Sequence, residues 1–156
     1  MDNLIKFEKG KITCILTKAH NTFLFAKQFI ENNKNKNILL YQIRNLTYPC
    51  NNITLTYGTN LIRLVNDDLN KFDILLIDHL IDDFNSKETI EFLNYIKTDH
   101  KFKNKAFVVL FTKYTEDKVM NLEHYENCKK TILNVSDYLY VLNNKAYNLV
   151  TEELLK

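Results

Sequence analysis

Apolar and polar positions repeat along this chain with two different periods, and the period switches several times. Residues 11–16 (KITCIL) form a short apolar run of strand type behind Gly10, a residue that suits a tight turn. Residues 21–33 carry Phe25, Ala26, Phe29 and Ile30 at helical spacing and predict a helix. Residues 32–37 are polar and read as a turn, and residues 38–43 (ILLYQI) read as the second strand. Residues 47–59 are irregular, with Pro49 and a short β-like ITLTY. Residues 61–69 put apolar side chains at 61, 64, 65 and 69, the pattern of a short helix. Residues 72–77 (FDILLI) are the third strand, and their nearly unbroken apolar character indicates burial on both faces, as in a parallel sheet. Ser86 suits the cap of a helix reaching Asp99, with Ile90, Leu93 and Ile96 inward. Residues 101–105 read as a lysine-rich turn and residues 106–111 (AFVVLF) as the fourth strand. Thr115 then opens a further helix, with Glu116 and Asp117 well placed in its first turn. Residues 138–142 and 146–150 read as strands around Asn143 and Asn144, a pair suited to a two-residue hairpin turn.

Alternation of this kind predicts an α/β fold: a three-layer sandwich with a mostly parallel central sheet, helices on both faces and a C-terminal β-hairpin. No internal repeat and no linker rich in Pro, Gly or Ser divides the chain, so residues 1–156 read as one domain, with residues 1–9 as an N-terminal segment and 151–156 as a tail. Right-handed crossovers bring the loops that follow the strands to one rim, where ligands of such sheets bind. The positions to inspect are 17–22, 44–48, 78–84 and 112–115.

Composition narrows the chemistry. Hydrophobic residues make up 46% and charged residues 26%, enough for one buried core and incompatible with collagen or extended disorder. Lysines number 19 and arginines 2 (Arg44 and Arg63), Asn is abundant, and the net charge is only +2. That charge gives no strong field for nucleic acid, and two arginines leave little bidentate phosphate or guanine readout. The lysine and asparagine bias reads as an A/T-rich genome. Three cysteines without C-x-x-C spacing (Cys14, Cys50, Cys128) do not make a disulfide framework. With no leader-like N-terminus and no bilayer-length apolar run, the expectation is a cytoplasmic protein in a reducing compartment, with no membrane role.

On the predicted rim, strand one is followed by Thr17-Lys18-Ala19-His20-Asn21-Thr22-Phe23-Leu24. A phosphate-binding loop needs G-x-x-x-x-G-K-[ST], whose glycines let backbone N–H groups wrap the phosphates and whose Lys meets the outer ones. This stretch has no glycine, and Phe23 stands where that Lys belongs. After strand three comes Asp78-His79-Leu80. An Asp closing a buried strand either holds Mg²⁺ through water or caps local backbone.

These segments together resemble the RecA-like ATPase core, above all that of replicative hexameric helicases, over residues 9 to 150. The resemblance is carried by residues 72–80 (FDILLIDHL), where an apolar strand ends in Asp with His79 at the family's aromatic place, and by Ser136-Asp137-Tyr138-Leu139 leading into a hairpin. It implies a nucleotide site around Lys18, His20, Thr22, Asp78 and Thr112, and within that set only Asp78 matches the family's acid. The phosphate loop is missing, and Arg44 falls where the family's catalytic Glu lies; a positive group cannot serve as the base that activates water. The resemblance therefore implies a pseudo-ATPase rather than an enzyme. Such a protein holds no cofactor and acts by protein contact on a related helicase or recombinase in DNA replication or recombination, with self-association as a further option. A response-regulator receiver domain is the rival resemblance, with Asp78 as acceptor, Thr112 as switch hydroxyl and Lys145 after the last strand. Its first strand should end in paired acids, and this one ends Leu16-Thr17-Lys18. A third reading keeps a weak nucleotide enzyme using Asp78 with Lys18 or His20.

Other constellations are sparser. His124 and Cys128 lie four apart, which is half a zinc site, so no metal is expected. Lys101, Lys103 and Lys105 around Phe102 are the densest basic cluster and the candidate nucleic-acid contact, although three lysines in a turn are commonly a solvated edge. Tyr138 and Tyr140 share one strand face, where they pack on the core or present an edge to a partner.

Overall fold

The computed structural model describes residues 7–17, 19–42, 53–56, 61–79, 86–112, 130, 134–142 and 149–151. The chain runs β1 (Ile12–Thr17), α1 (Ala19–Asn32), β2 (Ile38–Gln42), β3 (Ile53–Thr56), α2 (Leu61–Asp68), β4 (Ile74–His79), α3 (Ser86–Thr98), β5 (Ala106–Thr112), β6 (Tyr138–Leu142) and β7 (Leu149–Thr151). These strands form one sheet in the order β3-β2-β4-β5-β1-β6-β7. All pairings are parallel except the last, where β7 runs antiparallel to β6.

Strand periodicity divides the core into two layers. Ile12, Cys14, Leu39, Tyr41, Leu75, Ile77, Phe107 and Val109 face α2 and α3, meeting Val65, Phe92, Leu93 and Ile96. Ile15, Ile38, Leu40, Ile74, Leu76, Val108 and Leu110 face α1, meeting Phe25, Ala26, Phe29 and Ile30. Helices on both faces of a mostly parallel sheet are the predicted three-layer α/β sandwich.

Several expectations shift. The strand order excludes the receiver arrangement, which needs the first strand beside the second and third (order 2-1-3-4-5); here β5 separates β1 from the acid-bearing β4. Part of the stretch read as irregular, Ile53–Thr56, is a parallel strand beside β2. The third strand begins at Ile74, because Asp73 caps instead: its carboxylate accepts the Asn37 N–H at 2.9 Å. It also runs on through Asp78 to His79, so Asp78 lies within the strand rather than closing it. The hairpin is real but its turn is not two residues long. Leu142 pairs with Leu149, which leaves six residues between the strands, and Thr151 belongs to β7 rather than to the tail. The helix expected from Thr115, and His124 with Cys128, lie outside the described residues.

Candidate functional site

The strands end on one rim, and the register fixes which ends are neighbours. Thr17 at the end of β1 pairs with Thr112 at the end of β5. On β4, Asp78 pairs with Gln42 and Leu110, and His79 pairs with Phe111. Asp78, one residue before the end of β4, and Thr112, the last residue of β5, thus lie on adjoining strands near the same rim. His20 and Thr22 fall in the first turn of α1, which starts at Ala19, two residues before the helix expected from Asn21. With no glycine to hold the chain open and Ala19 favouring helix, the backbone turns helical at once. Lys18 is the single residue between β1 and α1 and lies outside the described residues, as does Arg44. The phosphate-loop pattern is about eight residues long, and its glycine-rich part forms a loop of several residues between the strand and the helix that its Lys and Ser or Thr open; here one residue lies between the end of β1 and the start of α1.

The opposite, N-terminal edge of the sheet carries a tight polar clamp. Asp137, just before β6, accepts the Ile12 N–H at 2.8 Å on Oδ2, and its own N–H donates to the Ile12 carbonyl at 2.8 Å. Lys97 in the last turn of α3 donates to both carboxylate oxygens, at 2.9 and 2.8 Å. One carboxylate so joins β1, β6 and α3. The sequence singled out Ser136-Asp137 for its resemblance only; a lone Asp before a strand carries no signal of the helix it reaches.

The lysine-rich turn sits on this same edge, ahead of β5, so the length of a seven-residue strand (about 23 Å) separates it from Thr112. Its three lysines have different settings. The Lys101 ammonium pairs with Asp99 at 3.6 Å, bonds the Tyr95 hydroxyl and lies over the Tyr95 and Phe102 rings, at 4.9 and 5.2 Å from their centroids. The bond to the Tyr95 hydroxyl foremost holds Lys101 protonated above the usual lysine range, while the Lys101 backbone N–H foremost lowers Asp99. Lys105 bonds the Phe72 carbonyl and covers its ring at 5.0 Å. Lys103 is exposed. Phe102 is buried between them, stacking edge-on with Phe107 and Tyr95, and is no stacking platform for a base. Tyr138 and Tyr140 likewise pack against the α1-side core.

Cys14 is fully buried on β1, and burial pushes its thiol up to about 12 against a smaller opposing effect of its hydrogen bond with Ser136. Among the described residues there is no cluster of three metal-ligating side chains and no helix long and apolar enough to cross a membrane.

Solved structures share this architecture. The VirB11 ATPase of the Brucella suis type IV secretion system superposes with a TM-score of 0.54 at 12% identity, over 92% of this chain and 47% of its own. A Pyrococcus horikoshii OT3 protein (PH0250) gives 0.53 at 10% identity, over 99% of this chain and 90% of its own. The Legionella pneumophila ATPase DotB gives 0.46 at 9% identity, over 86% of this chain and 41% of its own.

The chain has a P-loop ATPase-like fold.

The chain spans about half the length of VirB11. No protein-family model matches it, and no curated protein matches it as a relative. The likeness reaches the coarse fold and not a helicase in particular.

Proposed function

We propose that this protein is a non-catalytic member of the P-loop ATPase-like fold that works by contact with another protein, an ATPase of the same architecture, in DNA replication or recombination. The observation that carries this reading is the one-residue passage from Thr17 to Ala19. Phosphoryl transfer depends on positioning and on preorganised charge around the phosphates. A helix that begins one residue after its strand, in a stretch without glycine, has only the free N–H groups of its own first turn and no preceding loop of backbone N–H groups to wrap a triphosphate. Arg44 in place of a general base points the same way. The choice of replication or recombination rests on the helicase-like strand at residues 72–80, and a same-fold partner on the related helicase or recombinase that the resemblance implies.

The test is a thermal melt with and without millimolar ATP–Mg²⁺, run beside an ATPase assay. A ligand present at about 100 times its Kd stabilises by about 2.7 kcal/mol, which moves a domain of this size by several degrees. The expected result is no shift and no turnover. A shift that Asp78→Ala abolishes would establish the competing reading, a nucleotide enzyme built on Asp78.

A further inference from the structure

The turns that lead into the strands form a continuous basic edge. Backbone hydrogen bonds stitch them side by side: Asp73 N–H to the Asn37 carbonyl at 2.8 Å, Ala106 N–H to Asp73 at 3.0 Å, Gly10 N–H to Lys105 at 2.8 Å and Phe107 N–H to Lys11 at 3.2 Å. The turns at residues 8–11, 33–37, 71–73, 99–105 and 136–137 hold eight lysines and four carboxylates, a net +4, whereas the whole chain carries +2. The rest of the chain is therefore net acidic, and the positive charge is gathered here. Lys71 pairs with Asp68 and Lys101 with Asp99, and Lys105 is held on Phe72. Lys9, Lys11, Lys34 and Lys103 are exposed, and their ammonium groups have no partner among the described residues. Beside Lys9, Lys11 and Lys103 lies a groove of about 190 Å³ between Gly10 and Lys103, with Ile12, Ile96 and Phe107 in its wall.

We propose that this edge docks an acidic segment of the partner protein, with carboxylates on Lys9, Lys11, Lys34 and Lys103 and one aliphatic side chain in the groove beside Gly10. The inference rests on the protein-contact reading and gives that contact a place and a chemistry. Three features favour an acidic peptide over nucleic acid. The rings at the edge are buried (Phe72 3%, Phe102 1% and Phe107 2% exposed), so no base can stack on them. The edge turns contain no arginine for bidentate phosphate contact. The groove is large enough to admit one aliphatic side chain, and its lining sets Ile12, Ile96 and Phe107 beside Lys97 and Lys103 as well as Asp99 and His100, which suits an apolar residue next to an acidic one.

The experiment is fluorescence anisotropy with a labelled Glu-Asp-Leu-Glu-Glu peptide, the same peptide with Ala for Leu, and a (dT)20 oligonucleotide. The full-length protein is compared with the Lys9→Glu, Lys11→Glu, Lys34→Glu, Lys103→Glu variant, whose melting curve confirms its fold. The Leu peptide should bind more tightly than the Ala peptide and more tightly than (dT)20. The variant should weaken its binding by about tenfold or more, in line with like-charge juxtaposition at an interface. Equal binding by the variant, or tighter binding of (dT)20, overturns the proposal. These outcomes are separate from the ATP–Mg²⁺ melt: nucleotide binding would end the non-catalytic reading, while peptide indifference alone would end only this one.

Discussion

Replacing Asp137 should loosen three elements at once. Its carboxylate is 22% exposed and is the acceptor for the amide of Ile12, a residue only 2% exposed. Asp137→Ala leaves that donor without its acceptor, and an unsatisfied buried donor costs about 1–3 kcal/mol. The same substitution removes the ion pair with Lys97. That pair is 2.8 Å long, but the Lys97 side chain is 35% exposed, so solvent screening limits its contribution to about 1 kcal/mol or less. The two losses together predict about 1–4 kcal/mol. Asp137→Asn keeps an oxygen for the Ile12 amide and loses only the charge, so it should cost about 1 kcal/mol. Lys97→Met removes the ion pair alone and should cost no more than that. Urea unfolding followed by circular dichroism measures all three, with an unchanged slope against urea showing that stability alone has changed. A cost for Asp137→Ala below about 0.5 kcal/mol, the range of ordinary surface substitutions, would refute the clamp. Equal costs for Asn and Ala would refute the assignment of the larger part to the Ile12 amide.

Two further substitutions probe the same end of β1. The Cys14 thiol ionises near 9.0 when unfolded and near 12 when folded, so between these values the unfolded state holds fewer protons and stability falls as pH rises. This one group contributes a slope of about 1.4 kcal/mol per pH unit in that window. Cys14→Ala should flatten unfolding stability against pH between 9 and 10.5 by about that amount, and an unaltered slope would sink the account. Gly10 has φ of 75°, and a Cβ there would lie 3.1 Å from the Lys103 carbonyl oxygen. Gly10→Ala should cost about 1–2 kcal/mol for the left-handed backbone, read as a lowered Tm, and no change in Tm would contradict that geometry.

The sheet was legible because its strands are buried on both faces. FDILLI and AFVVLF have almost no polar position, and only a covered parallel sheet tolerates that. Helix α1 was legible from Phe25, Ala26, Phe29 and Ile30, all of which are buried. In α3 the inward set was read as Ile90, Leu93 and Ile96, and the fully buried Phe92 was missed although it sits one helical turn before Ile96. Strand order was not legible. Parallel strands joined by helices read alike whether β1 lies beside β4 or is separated from it by β5, because order is set by crossover packing and not by local pattern. The hairpin turn was misread because Asn143-Asn144 has the composition of a tight turn, and composition fixes turn length only when the flanking register agrees. The site was legible in part. The rim positions of Asp78 and Thr112 followed from strand ends, whereas the start of α1 at Ala19 required the backbone.

The two core layers are built from strand interiors and from the inward faces of α1, α2 and α3, which close over the sheet. Polar contacts join distant parts of the chain at the edge where the strands begin: Asp137 with Ile12 and Lys97, Asp73 with Asn37, and Lys105 with Phe72. These contacts hold the strand starts in register and leave Lys9, Lys11, Lys34 and Lys103 projecting from a fixed frame. A partner that binds there meets a surface already ordered, so binding costs little conformational entropy. On the proposed reading, an acidic segment would meet this charge at the edge opposite the one where α/β sheets place their ligands.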